Sequence, residues 1–211
     1  MSVRIHPTAL IEAEVEIGDG TAIWDHVHVR HSTQIGSDCI VGEKTYIAYG
    51  VKIGNFVKIN AFVYICNAVT IEDGVMISAG TVFTNDRFPR AATVDLKQLR
   101  PSEPDEQTLP TLVRAGATIG AGCTIGNNLV LGRFAMIGMG AVVTKSVRDF
   151  HLAVGHPARS VGCVCRCGQL LIRFPETAIF SEEVRCSACG LPYRIHNQEV
   201  IELNPPSENT P

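Results

Sequence analysis

No stretch of this chain is apolar for long enough to cross a membrane, and residues 1–20 lack the apolar core of a secretory leader. Both absences point to a cytoplasmic protein. Basic runs are missing too: 18 Lys and Arg against 21 Asp and Glu leave a net charge of −3 and a pI near 6.2. That balance argues against nucleic acid as a partner. Neither the 3.6-residue period of a helix nor the plain alternation of a strand describes the apolar pattern. Eight cysteines without a leader fit metal ligation in a reducing compartment better than disulfides.

The period that is present is six. Ile5, Ile11, Ile17, Ile23, Val29, Ile35, Val41, Ile47, Ile53, Ile59, Ile65, Ile71, Ile77 and Phe83 form one unbroken column. It resumes as Val113, Ile119, Ile125, Leu131, Ile137 and Val143. In a chain that is 45% hydrophobic, such a first run arises by chance at a rate on the order of 10⁻⁵. A small or turn-forming residue often follows each member, as at Gly18, Gly36, Gly54, Gly120 and Gly138, and small or β-branched residues sit four positions on. A short strand plus a tight turn, repeated, fits this spacing. Three such units close a triangular coil of eighteen residues, and stacked coils make a prism with parallel sheets on three sides. The expected fold is therefore an all-β parallel β-helix of nearly seven coils; an ordinary sandwich and a right-handed β-helix fit less well.

The column breaks once, over residues 84–112, which begin Thr84-Asn85-Asp86-Arg87-Phe88-Pro89-Arg90. A long excursion from a regular solenoid calls for a functional reading. The first half mixes an amide, a carboxylate, arginines and an aromatic ring, which suits a polar ligand. Residues 101–108 read as a solvated excursion. Residues eighteen apart stack on one edge, so Asn85 lies above Asn67, then Tyr49, then His31. Stacked asparagines also serve as purely structural turn residues, and that reading stays open for Asn67.

Beyond Gly162 the chain gives Cys163-Val-Cys165-Arg-Cys167-Gly168 and later Cys186-Ser-Ala-Cys189-Gly190. Two cysteine knuckles, each followed by glycine, read as a zinc ribbon in which thiolate ligation replaces a core. Cys165, Cys167, Cys186 and Cys189 are the preferred ligands, with Cys163 a possible substitute. Strands are expected at Leu170–Ile172 with Phe174, and at Tyr193–Ile195. Cys39, Cys66 and Cys123 fall within coils and read as small packing residues. The resulting domains are 1–161 for the β-helix, 162–203 for the ribbon, and 204–211 for a disordered tail.

The hexads, the loop start, Gly116-Ala-Thr-Ile-Gly120, Gly140-Ala-Val-Val-Thr-Lys145 and Val154-Gly-His-Pro-Ala158 together resemble the left-handed β-helix acyltransferases. Within them the chain is most similar to bacterial nucleotide-sugar 3-N-acetyltransferases, including the 2-acetamido-3-amino-glucuronate enzymes of surface-polysaccharide synthesis. The resemblance covers roughly residues 5–161. It implies left-handed coils, a homotrimer with three sites between adjacent prisms, and acetyl transfer from acetyl-CoA to the amine, at C3, of a UDP- or dTDP-linked amino sugar. Asn85 matches the asparagine placed beside the acceptor amine, with Asp86 a second candidate proton acceptor. Tyr49, Asn67, Arg90 and His31 become candidates for the substrate. Gly120, Gly138, Lys145, Gly155, Pro157 and Arg159 become candidates for CoA, the two cations for its phosphates.

The chemistry agrees with an amine acceptor. A hydroxyl needs a strong general base, commonly histidine, and none of the seven histidines lies in the loop start or adjoining hexads. A neutral amine attacking an activated thioester needs mainly alignment and stabilisation of the developing oxyanion. Asp25-His26-Val27-His28 and His31 resemble a γ-carbonic anhydrase spacing, but the third upstream histidine of that family is lacking. Related sugar acetyltransferases end near the Gly-x-Pro-Ala turn, so the ribbon is a departure. The alternatives are an O-acetyltransferase of the same fold and a non-catalytic scaffold with the ribbon as docking element.

Overall fold

A computed structural model of the chain describes residues 2–174 and 181–206, and among these every regular element is a β-strand. The expected tail at 204–211 lies largely outside the described residues. The hexads build short strands that climb in a prism. Arg4–Ile5, Ala22–Ile23, Ile40–Val41 and their successors form the first side, Leu10–Ile11, His28–Val29 and Tyr46–Ile47 open the second, and Glu16–Ile17 and Gln34–Ile35 the third. Pairings between coils are parallel, and up to the break in the column partners stand eighteen apart, as in Ile23↔Val41 and Ile35↔Ile53.

The column residues point inward, and from Ile47 to Leu131 nearly all are shielded from solvent. Ile5 is 47% exposed because no coil lies beneath it. Four positions after the column, Thr21, Thr33 and Thr45 are buried, as is Thr111 two places before the column resumes, and each hydroxyl donates to a main-chain carbonyl of the next coil. Cys39 and Cys123 take the same position and donate their thiols to Gly54 and Gly138 carbonyls at 3.1 and 3.2 Å. They are packing residues, as expected, and burial pushes both thiols up.

Two kinds of corner glycine serve two needs. One follows the column directly: a Cβ on Gly36 would lie 2.6 Å from the Gly54 carbonyl carbon of the coil above. The other stands three places after the column, where φ is positive, as at Gly50 and Gly74. The same left-handed position is occupied by Asp38, Phe56, Asn128 and Phe134.

The prism extends beyond the expected end of the column. Val147 pairs with Leu131 and Ala153 with Ile137, both buried. The step from Val143 to Val147 is four residues instead of six, which hid the continuation. Phe150, three after Val147, has a φ of 63°, the usual corner value. Twenty hexad strands plus these two rungs make between seven and eight coils, where nearly seven were expected.

The chain then reverses. His151–Gly155 pairs antiparallel with Ala158–Val164, which pairs with Leu170–Arg173. The expected boundary at residue 161 thus falls inside a continuous strand. A separate antiparallel sheet of Ser181–Arg185, Pro192–His196 and Glu199–Glu202 completes the C-terminal part, its first and last strands being additions to those expected. A second apolar cluster of Phe150, Cys165, Cys186 and Tyr193 joins this part to the prism.

Candidate functional site

Phe83 pairs with Ile125, forty-two positions on, where an uninterrupted coil would take eighteen; twenty-four residues are therefore inserted at one corner. Asn85 stands at that corner, two past the column. Below it, its Nδ2 donates to Asn67 Oδ1, and Asn67 Nδ2 donates to Tyr49 OH at 3.1 Å. The Tyr49 ring stacks on His31 at 5.2 Å between centroids and 4° between planes. The stack of four is as expected. Above it comes Asn127, whose Nδ2 donates to the Asp86 carbonyl at 3.0 Å, and by the Ile125↔Val143 register Lys145 follows. Asn127 escaped sequence reasoning because its spacing from Asn85 is forty-two, legible only once the insertion is measured. Asn85 Oδ1 receives no hydrogen bond among the described residues, so one acceptor of the ladder is left without a partner there.

The inserted loop leaves and returns side by side. Leu109 N donates to Asn85 O at 2.8 Å, Arg87 N to Gln107 O at 3.1 Å, and Asp86 bridges Thr108. Asp86 Oδ1 accepts from Phe88 N at 2.8 Å, which shapes the turn. Residues 101–108 are not simply a solvated excursion. Asp105 and Thr108 line a cavity of about 390 Å³ together with Asn85, Asp86, Arg90 and Arg100. Arg100 donates to the Phe88 carbonyl at 2.9 Å and reaches Asp105 at 3.5 Å, folding the second half onto the first. Among the described residues Arg90 donates only to the neighbouring Pro89 carbonyl, and it is exposed.

Beneath the asparagine edge lies a polar cluster that the hexad phase did not single out. Glu12 Oε1 contacts Arg30 Nε at 2.6 Å and His28 Nε2 at 2.8 Å, while Oε2 accepts from the His31 backbone N–H at 3.0 Å. Arg30, then the two histidine contacts, hold the Glu12 carboxyl down at about 2. Arg30 Nη1 donates to Tyr46 OH at 2.9 Å, and Tyr46 stacks on Tyr64 at 5.3 Å. The result is a fixed cation beside an aromatic strip.

The six cofactor candidates separate into two places. Gly120 and Gly138 lie one past the first-side column. A Cβ on Gly120 would meet Met139 N at 2.5 Å, and one on Gly138 would meet Val154 Cγ1 at 2.7 Å. Val154 leads into the reversing turn, where Gly155 has a φ of 100° and Pro157 and Arg159 follow. Lys145 tops the asparagine corner instead, a full side of the triangle away. Within one chain the set does not converge.

The four preferred cysteines do converge. The sulfurs of Cys165, Cys167, Cys186 and Cys189 all lie within 4.8 Å of one another. The closest pairs, Cys165–Cys189 and Cys167–Cys186, are 3.4 and 3.6 Å apart. A disulfide would need about 2.05 Å, whereas a tetrahedral ion with bonds of about 2.3 Å sets sulfurs roughly 3.8 Å apart. The set fits a four-coordinate metal with no open position. Gly168 and Gly190, both at positive φ, close the knuckles by donating to the Cys165 and Cys186 carbonyls. Cys163 is outside the group: it is fully buried between strands, and burial pushes its thiol up to about 11.

Residues 14–49 and 50–85 match the family described as bacterial transferase hexapeptide (six repeats). Over 93 residues, 44% of this chain, there is 39% identity with dTDP-3-amino-3,6-dideoxy-alpha-D-galactopyranose 3-N-acetyltransferase from Aneurinibacillus thermoaerophilus. The match spans 45% of that relative's length, less than half. Among solved structures, an AntD variant, an N-acyltransferase from Bacillus cereus in complex with dTDP-4-amino-4,6-dideoxyglucose and Coenzyme A, aligns with a TM-score of 0.51. Identity there is 21%, over 77% of this chain and 81% of that one, so the likeness is one of fold.

Proposed function

We propose that this hexapeptide-repeat β-solenoid transfers an acetyl group from acetyl-CoA to the amine of a nucleotide-linked amino sugar. The observation that carries the reading is Asn85: a half-buried amide, held from below by Asn67, with its carbonyl oxygen left unpartnered beside a polar cavity. That oxygen accepts a hydrogen bond from the neutral amine and turns the nitrogen lone pair toward the thioester. The C–N bond forms, the C–S bond breaks, and the amine proton leaves to the thiolate or to water. Alignment of two reactants supplies most of the acceleration such a reaction needs. Asp86 is engaged in its own turn and acts, if at all, through water. The 3-amino position follows the relative from Aneurinibacillus thermoaerophilus.

Arg90 and Arg100 face the loop cavity and suit the diphosphate, while Tyr49 and His31 continue the edge toward the nucleotide end. The sites form between chains of a homotrimer, a reading that the separation of the two half-sites within one chain supports. There the Lys145 corner of one prism would face the Gly138–Gly155 corner of the next, enclosing CoA. The cysteine set holds structural zinc. The setting is surface-polysaccharide precursor synthesis in the cytoplasm, where acetyl-CoA is available; no described helix is long and apolar enough to cross a membrane.

The test is acetyl-CoA-dependent thiol release with a panel of dTDP- and UDP-linked amino sugars, alongside sedimentation of the protein. Release with at least one 3-amino sugar from a trimer is expected. A folded trimer that releases no thiol with any amino sugar would leave a non-catalytic scaffold.

A further inference from the structure

The strand Ala158–Val164 has a different structure at each of its ends. Its N-terminal end begins the return from the turn at Gly155–Pro157, and Val154, which leads into that turn, packs against Gly138. Its C-terminal end runs directly into Cys165 and the first metal knuckle. About 23 Å of extended backbone joins the two, at roughly 3.3 Å per residue. Two further links tie the cysteine-bearing part to the same hairpin. Buried His151 contacts Ser160 Oγ at 2.9 Å through Nδ1 and the Gln198 carbonyl at 2.7 Å through Nε2. One ring thus spans the hairpin and the turn between the last two strands, and burial keeps that ring's affinity for a second proton low. The other link is a train of rings. Phe134 stacks on Phe150 at 5.4 Å, Phe150 meets Tyr193 edge-on at 5.8 Å, and Tyr193 OH lies 3.1 Å from Cys165 Sγ. Phe134 and Phe150 are the corner residues of the last two coils.

We propose that the four-thiolate metal centre positions the Gly155–Arg159 turn through the shared strand Ala158–Val164, with His151 as a positioning residue. The centre is too small to hold its own fold without the ion, since the fully buried part of its apolar cluster is Phe150, Tyr193 and two of the cysteines, with Phe134, Leu171, Val184, Leu191 and Val200 only partly covered around them. Loss of the metal frees Cys165, then Tyr193 and the Gln198 turn. It also loosens Leu170–Arg173, which follows the first knuckle and pairs with the strand's C-terminal half, so that His151–Gly155 becomes the strand's main support. Its consequence for catalysis rests on the acetyltransferase reading, in which this turn meets CoA; the mechanical link does not.

The full chain is purified with zinc, its metal content is measured, and a portion is stripped with a chelator and reloaded. Hydrogen exchange over residues 151–164 is compared with exchange over residues 40–80, and CoA affinity is titrated calorimetrically. Stripping should accelerate exchange over 151–164 at least tenfold, leave 40–80 unchanged, and weaken CoA binding at least fivefold, all restored by zinc. His151→Ala gives a second route, since it leaves the thiols intact. It should retain zinc, speed exchange at the hairpin, and raise KM for acetyl-CoA several-fold with kcat little altered. Unchanged exchange over 151–164 in both the stripped protein and His151→Ala overturns the proposal. A merely structural ribbon would lower the melting temperature while CoA affinity and hairpin exchange stay constant. Zinc-loaded protein that binds no CoA would instead count against the acetyltransferase reading, with the exchange comparison still deciding the metal link.

Discussion

Asn85→Ala separates a structural amide from a catalytic one by magnitude. The side chain makes one strong hydrogen bond, to Asn67, at a half-buried corner. Losing it costs about 1 kcal/mol, which in a chain of this size lowers Tm by roughly 2–4 °C. If Asn85 Oδ1 also orients the acceptor amine, the loss at the reaction centre is of the kind seen for preorganised polar groups, about 10²–10³ in kcat or ~3–4 kcal/mol. The two figures differ enough to be told apart in one preparation. Thermal unfolding gives the first; thiol release at saturating acetyl-CoA and sugar nucleotide gives the second. Asn67→Ala is the control, because it removes the support beneath Asn85 and leaves the Asn85 oxygen in place. It should lower Tm further than Asn85→Ala, since the bond to Tyr49 goes as well, yet reduce kcat by only about tenfold, in line with roughly 1.4 kcal/mol of lost positioning. An Asn85→Ala protein turning over within a few-fold of the parent would refute the assignment, and Asn85 would then be a corner residue of the solenoid.

Glu12→Gln should lower Tm at neutral pH. The folded carboxyl titrates at about 2, beneath its unfolded value near 4.3, so its contribution is complete above that value and fades as pH falls toward 2. Melting curves of parent and variant should therefore converge between about pH 4 and pH 2; a gap that stays constant to pH 2 excludes the Arg30 pairing as its source. Gly138→Leu places a side chain against Val154 Cγ1, where a Cβ alone would come within 2.7 Å. It should raise KM for acetyl-CoA more than it alters kcat, as initial rates at varied acetyl-CoA will show. Phe150→Ala empties the contact between the last coil and Tyr193, at a cost of about 3–5 kcal/mol. Denaturant unfolding should show it, together with easier extraction of zinc.

The asparagine edge was legible because eighteen-residue coils bring residues of one phase into contact whatever their identity. His31, Tyr49, Asn67 and Asn85 could thus be stacked by counting alone. The same counting failed at two shifts in length. Asn127 lies beyond a twenty-four-residue insertion, and Val147 follows a hexad shortened to four, so both lost their phase. Glu12 and Arg30 are also eighteen apart, one past the column instead of two, so counting stacks them as well; what spacing leaves open is that Glu12 also turns to His28 and the His31 backbone. Cysteine spacing was sufficient to pick, out of five neighbouring thiols, the four that converge, since a glycine at positive φ closes each knuckle.

The sequence by itself determined the coil, its corners and the place where it breaks. A sixfold repeat leaves the backbone one way to bury its apolar column and pair its strands. Only the tertiary structure decided that the loop folds back into a cavity with Asn85. It also showed that the CoA candidates occupy two corners and that the ribbon shares a strand with the prism. These depend on contacts between segments with no common period, where side-chain shape and hydrogen bonding, not spacing, select the partner.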